Sequence, residues 1–320
     1  MKIRLTLFLS LILMLPITVF SQKTDTLIKK LDSLSKRKDT TGQVNNISQD
    51  AYNFNTRITP KVYLILIGSD LKQEFTAPFH FHKKDWLKTA VVAGTAGALF
   101  LADEPVQRFA LDLRNNNAGV ANVSKYVTRF GGLYEVYTLS AFGLYGVVFK
   151  SEKIKTTVLL ASQSYIVGAI MENTLKFITG RQRPIYTDGT TSEAEPKFHG
   201  PFSNYNTNLN GNRFNSSFPS GHTTVAFAAA TVFAMEYKDR PIVPIISYSV
   251  ATLIGLSRIT ENKHWLSDVF VGAALGYFTG RHVVDNYHRY AKIQSDKKNK
   301  LTFNLHYQFN QLLPGLTYSF

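Results

Sequence analysis

The sequence predicts an all-α helical bundle of about six core helices, followed by a small β-hairpin at the C-terminus. Three observations carry this. Six apolar stretches rich in Ala, Gly, Val, Leu and Phe lie between residues 89 and 280. Polar links separate them. Apolar and polar residues then alternate through the last stretch of chain, from Leu301 onward.

The elements follow in order. Residues 1–21 read as a signal peptide: Lys2 and Arg4 precede an apolar run from Leu5 to Phe20, and Val19 and Ser21 suit a cleavage point before Gln22. An uncleaved anchor is the alternative, disfavoured by the shortness of the run and by Pro16. Residues 22–85 form a polar N-terminal extension, with one short helix near Asp25–Ser35 and an apolar "VYLILIG" too short to span a bilayer. The helical domain occupies 86–292, with apolar stretches at 89–102, 131–149, 156–171, 223–235, 242–256 and 269–280. Most fall short of the roughly 20 residues of a comfortable span. They fit either the core of a bundle or short, closely packed membrane helices. Residues 293–320 are a basic tail and the hairpin: "LTFNLHYQF" puts Phe303, Leu305, Tyr307 and Phe309 on one face, and "GLTYSF" does the same with Leu316, Tyr318 and Phe320. Asn310 to Gly315 supply the expected turn. Two strands cannot close a barrel.

Composition narrows the partners. The chain carries 36 Lys and Arg against 22 Asp and Glu, which favours anionic lipid or phosphorylated ligands. It lacks clustered basic residues with interleaved aromatics, and it lacks zinc-finger spacing, so no nucleic acid is expected. With no cysteine, disulfides, thiol catalysis and Cys-ligated metals are excluded. Mean hydropathy is −0.08, which keeps a soluble bundle open beside a membrane one.

Three polar clusters fall at ends of the apolar stretches. In "KFITGRQRP", Lys176 and Arg183 can converge on one anion, Arg as a planar fork and Lys as a point charge. An ordinary basic turn would look the same. In "FPSGHTT", Ser220 suits a helix N-cap, so the next backbone N–H groups point out of the helix start as an anion site. Gly221 permits close approach, and His222 would present an imidazole beside the anion as a proton donor. In "SRITENKHWLSD", Arg258 ends a stretch, and His264 and Asp268 are four apart on one helix face. Asp268 could hold one ring nitrogen of His264 protonated, leaving the other as nucleophile or base. A surface His–Asp pair is the bland alternative. Arg181 reads as lying behind the site, and His199 as a candidate at the substrate entrance. His80, His82, His282, His288 and His306 read as bystanders.

Taken together, Lys176-x6-Arg183-Pro184, Pro219-Ser220-Gly221-His222 and Ser257-Arg258-x5-His264-x3-Asp268 resemble the three-part motif of the type 2 phosphatidic acid phosphatase (PAP2) superfamily. The resemblance covers roughly 86–290. It implies a PAP2-type bundle and a phosphatase acting through a phosphohistidine. His264 would be the nucleophile, Asp268 its orienting carboxylate, and His222 the acid and then the base. Lys176, Arg183, Ser220, Gly221 and Arg258 would bind phosphate. It implies no metal and no cofactor, because fixed cations do that work. The implied substrate is a phosphomonoester or pyrophosphate, of a lipid in the leading reading. A non-specific periplasmic acid phosphatase and a vanadium-dependent haloperoxidase are the alternatives within the superfamily.

Location is read two ways. The links 150–155 and 236–241 carry Lys150, Lys153, Lys155, Lys238 and Arg240, so the positive-inside rule puts that end in the cytoplasm and the site outside. An exported leader followed by six crossings would turn the site inward. The expectation is an exported, membrane-associated protein with a periplasm-facing site, with a soluble periplasmic protein as the alternative.

Overall fold

Thr59 and Pro60 open the first helix. The Thr59 hydroxyl accepts the Val62 N–H at 3.3 Å, and Pro60 at the first helical position costs no helical hydrogen bond. The computed structural model describes residues 49–184, 195–203, 214–299, 301–308 and 311–318. The leader at 1–21 and the short helix expected near 25–35 lie outside the described residues.

The molecule is mostly helical. In chain order come α1 (Pro60–Thr76), α2 (Lys83–Phe100), α3 (Asp103–Asn115), α4 (Ala118–Val127), α5 (Leu133–Val148), α6 (Glu152–Thr179), α7 (Gly221–Glu236), α8 (Ile242–Thr260) and α9 (Leu266–Asn299). Each of the six apolar stretches lies largely within one helix: α2, α5, α6, α7, α8 and α9. Helices α1, α3 and α4 are additional. The extension read as polar from 22 to 85 is therefore part of the bundle before α1 begins, with Ala51 buried and the Thr56 N–H donating to the Tyr287 hydroxyl at 3.1 Å. Leu66 is 1% exposed and joins a core with Leu139, Val158 and Val283. Asp70, fully enclosed, is accommodated because Asn286 donates to it at 2.7 Å and Gln163 donates to its other oxygen.

Helix α7 is the centre. It is apolar or small on every side and packs against α6, α8 and α9. The seam between α7 and α9 is set by glycines four apart. A Cβ on Gly272 would lie 2.7 Å from the Ser220 carbonyl oxygen; at Gly276 and Gly280 it would run into the carbonyl oxygens of Thr224 and Ala228. The two backbones thus approach as closely as small residues allow. At one end of the bundle the links before α6 and after α7 meet, with Lys153 Nζ 3.5 Å from Asp239 and 4.5 Å from the Tyr237 ring centre.

Helices α6 and α8 are long and apolar enough to cross a membrane, and less than half of each apolar window is buried (44% and 33%). Their outward faces carry Ile166, Ile170, Ile245, Ile246, Val250 and Leu253, and α5 adds Phe142, Leu144 and Val148. An apolar surface of this extent suits a lipid environment. After α9, strands β1 (Leu301–Gln308) and β2 (Gln311–Tyr318) pair antiparallel. Gln308 lies opposite Gln311, so Gln311 to Gly315, expected in the turn, belong to the second strand.

Candidate active site

At the bundle end opposite Lys153, the last turn of α6 meets the first turn of α7. Lys176 Nζ pairs with Glu172 Oε2 at 2.6 Å, one turn earlier on α6. A Cβ on Gly221 would come within 2.7 Å of Glu172 Oε1 and 3.1 Å of Lys176 Nζ. A side chain at this position would displace the Glu172 carboxylate and the Lys176 ammonium. Gly180 ends α6 in the left-handed region (φ 55°) and sends the chain back across the site.

Ser220 occupies the N-cap position of α7, as expected, but its hydroxyl makes no capping bond. It accepts from Thr223 Oγ1 at 2.8 Å, and the Ser220 N–H donates to the Asp268 carbonyl at 3.0 Å. The first N–H groups of α7 therefore keep their donor capacity for an anion. Ser220 itself is wholly enclosed, so in this conformation its side chain props the helix start and does not line the opening.

His222 follows in the first turn. Gly131 and Gly132, before α5, pack across it. A Cβ on Gly131 would lie 2.8 Å from the His222 Cβ, and one on Gly132 3.3 Å from its Nε2. Arg258, at the end of α8, is anchored by Nη1 on Thr128 Oγ1 at 2.5 Å. Arg183 is held on the returning chain: Nε and Nη2 donate to the side chain and carbonyl of Ser216 at 3.2 and 3.1 Å, and Nη1 to the Lys263 carbonyl at 3.3 Å. Lys176, Arg183 and Arg258 lie close enough for their charges to act on both His222 and His264.

His264 sits in the turn between α8 and α9, whose Lys263 and His264 N–H groups both fold back on the Arg258 carbonyl. It is 2% exposed. Its Nδ1 lies 2.8 Å from the Ser217 carbonyl oxygen, which can only accept, so Nδ1 carries the proton and Nε2 the lone pair. Asp268 does not fill the expected role directly. Its nearer oxygen is 3.7 Å from Nδ1, too far for a hydrogen bond. That oxygen instead accepts the Trp265 N–H at 2.9 Å and the Ser217 hydroxyl at 2.5 Å. Asp268 caps α9 from inside its first turn while that oxygen stays 3.7 Å from the ring nitrogen. Burial first, and then the charges of Arg183, Arg258, Lys176 and His222, hold the His264 pKa well below the ordinary imidazole value.

All eight sequence-predicted residues thus gather at one end of the bundle, six of them around the opening, with Ser220 behind the helix start and Asp268 behind His264. Contributors that were missed include Ser217, Thr128 and the Gly131–Gly132 pair. The doublet before an apolar stretch was a readable signal for close approach. The others act through hydrogen bonds that no sequence spacing marks. His199 is near the site, its Nε2 3.3 Å from Gln182 Oε1, on the chain that pairs with Arg181. His288 is structural, bonded to Phe54 O and Glu236 Oε1 at 3.0 and 2.8 Å.

Two histidines beside three fixed cations and a bare helix start define a site for a tetrahedral oxyanion. Residues 157–291, which contain the whole constellation, match the family model described as PAP2 superfamily. It is 52% identical over 66 residues to a lipid A 1-phosphatase of Porphyromonas gingivalis, covering 20% of this chain and 15% of that one. It is 29% identical over 133 residues to "Probable lipid phosphate phosphatase 4" of Arabidopsis thaliana, covering 36% of this chain and 42% of that one. The chain therefore spans less than half the length of either relative. Among solved structures it is similar to a transmembrane PAP2 type phosphatidylglycerolphosphate phosphatase from Bacillus subtilis, with a TM-score of 0.42, 19% identity, and coverage of 66% of this chain and 94% of that one.

Proposed function

We propose that the protein is a phosphatase that hydrolyses a phosphomonoester or pyrophosphate of a lipid through a phosphohistidine on His264. The observation that supports this most is the convergence of a neutral, buried imidazole with a free Nε2 on three cations and a second histidine. Lys176, Arg183, Arg258 and the first N–H groups of α7 hold the phosphoryl oxygens as charge develops on them. His264 Nε2 attacks phosphorus and forms the N–P bond as the P–O bond to the leaving group breaks. His222 gives its proton to that leaving oxygen. The phosphate dianion itself supplies the negative charge that lets His222 hold a proton beside three cations. In the second step water attacks phosphorus, its proton passes to His222, the N–P bond breaks, and phosphate leaves. The cations do the work a divalent metal would otherwise do.

The lipid assignment rests on the apolar outward faces of α5, α6 and α8 and on the lipid phosphatases among the relatives. The basic links at the far end support a site on the periplasmic side of a membrane, by the positive-inside rule. Purified protein assayed against lipid phosphates, lipid diphosphates and soluble phosphate esters tests the reading. Lipid substrates are expected to be preferred, with turnover resistant to chelation and inhibited by vanadate. Turnover lost on chelation and restored by Mg²⁺ would contradict it, as would halide oxidation dependent on added vanadate and peroxide.

A further inference from the structure

Behind the site lies a buried ionic chain that the phosphate never reaches. Arg181 is completely enclosed. Its Nη1 donates to Asp268 Oδ1 at 2.5 Å and to Ser267 Oγ at 2.7 Å, and its Nη2 to Asp103 Oδ2 at 2.6 Å. The rings of Phe100 and Phe198 lie 4.6 and 5.0 Å from its guanidinium carbon. Asp103, at the start of α3 and also fully enclosed, accepts from the Ser267 N–H at 2.9 Å and the Ser267 hydroxyl at 2.6 Å. Ser267 immediately precedes Asp268, so the pair grips the first turn of α9 from both main chain and side chain. Both oxygens of Asp268 are thereby committed, one to Arg181 and the other to Ser217 and the Trp265 N–H. The Arg181 carbonyl also takes the Ser217 N–H at 2.9 Å, which fixes the residue whose own carbonyl holds His264.

We propose that Arg181 and Asp103 are positioning residues for the nucleophile: they fix Asp268 and the Ser217 main chain, so that the Ser217 carbonyl sets the imidazole with Nε2 free. This rests on His264 being the nucleophile. An imidazole facing an uncompensated carboxylate binds a proton more tightly and loses its lone pair as a nucleophile. Arg181 removes that competition by neutralising Asp268. The charged and titratable groups acting on His264 are Lys176 from α6, Arg183 from the returning chain, His222 from α7, Arg258 from α8 and Asp268 from α9.

The test uses the full-length protein with Arg181→Met and Asp103→Asn, reading three quantities: the pH dependence of kcat/KM, the vanadate inhibition constant, and phosphohistidine in base-stopped samples. In Arg181→Met the bare Asp268 carboxylate faces His264, and the acid limb of kcat/KM is expected to rise by about 1 pH unit or more. Asp103→Asn removes a negative charge and leaves Arg181 paired with Asp268, so its acid limb does not rise. Its looser clamp lowers kcat about 10- to 100-fold through misplacement of the ring. Vanadate inhibition stays within about threefold in both, because the cradle does not include either residue. An acid limb unmoved in Arg181→Met, or raised in both variants, overturns the clamp. If Arg181→Met does not fold, Asp103→Asn decides: unchanged kcat, or kcat and vanadate binding lost together, overturns it. Wild-type protein that turns over without forming phosphohistidine overturns the nucleophile assignment itself, and that result is visible before either variant is made.

Discussion

The Nδ1 proton of His264 goes to a main-chain carbonyl, and Asp268 is left to hold the turn around it. Where a carboxylate alone fixes the tautomer, its amide variant loses about 10⁴-fold in kcat. Here the Ser217 carbonyl keeps the tautomer, so Asp268→Asn should slow phosphoryl transfer by well under that factor while still forming phosphohistidine. Single-turnover rates check this, and a loss of 10⁴-fold or more would show that the carboxylate does engage the ring during turnover. His222 should fail differently. In the proposed mechanism it protonates the leaving oxygen, so His222→Ala should lose about 10²–10⁴-fold on alkyl or lipid phosphates and far less on nitrophenyl phosphate, whose leaving group needs no proton. Equal losses on both substrates would remove His222 from that role. Burial and the neighbouring cations lower the pKa of His264, which stays neutral as pH falls below about 6.5, so in the proposed mechanism the acid limb of kcat/KM is expected below the ordinary histidine range. An acid limb at or above that range would contradict it. These residues were legible because Lys, Arg and His are rare at ends of apolar stretches and chemically distinctive there. Ser217 was not, since a carbonyl acceptor has no side-chain signature, and Asp103 was not, because 78 residues separate it from Arg181.

The α7–α9 seam is the element that brings the motif's second and third parts together. Ser220 N–H bonds the Asp268 carbonyl at its top, and Gly272, Gly276 and Gly280 carry the contact downward. Gly276→Val would push a Cβ into the Thr224 carbonyl, prising α9 from α7. A loss of about 1–3 kcal/mol in stability is expected from such overpacking, with activity falling further because His222 and His264 ride on different sides of the seam. Thermal unfolding in detergent together with turnover measures both, and an unchanged melting temperature would mean that the seam is not close-packed in solution. The helices of the seam were readable from their Ala- and Gly-rich stretches. Helices α1, α3 and α4 were not picked out, because the apolar runs in α1 and α4 are short and those of α3 are broken by charges. Their signals are local: Thr59 and Pro60 before α1, Asp103 and Glu104 in the first turn of α3, and Asn117 capping α4 by accepting the Val120 N–H at 3.1 Å. Attention to caps, and not to apolar runs alone, would have found them.

On the scale of the whole molecule, one end of the bundle carries the site and the other the basic links joined by Lys153 and Asp239. Sequence order placed these ends correctly, since consecutive apolar helices must alternate in direction. It could not say which helices face lipid, because burial of one side of α6 and α8 depends on packing partners distant in sequence. The absence of cysteine makes the orientation measurable. With single substitutions in an otherwise cysteine-free chain, His199→Cys at the site end should react with an impermeant maleimide in intact cells, and Asp239→Cys at the far end only after lysis. The reverse pattern would turn the site to the cytoplasm. The central claim, a phosphohistidine built by two histidines on a cationic cradle, is tested most directly by stopping turnover in base and mapping phosphate on the protein by mass spectrometry. Phosphate on His264 in the wild type, none on any residue in His264→Ala, and retention on His264 in His222→Ala with nitrophenyl phosphate is the result expected. Phosphate found on His222, or turnover persisting in His264→Ala, would contradict the account.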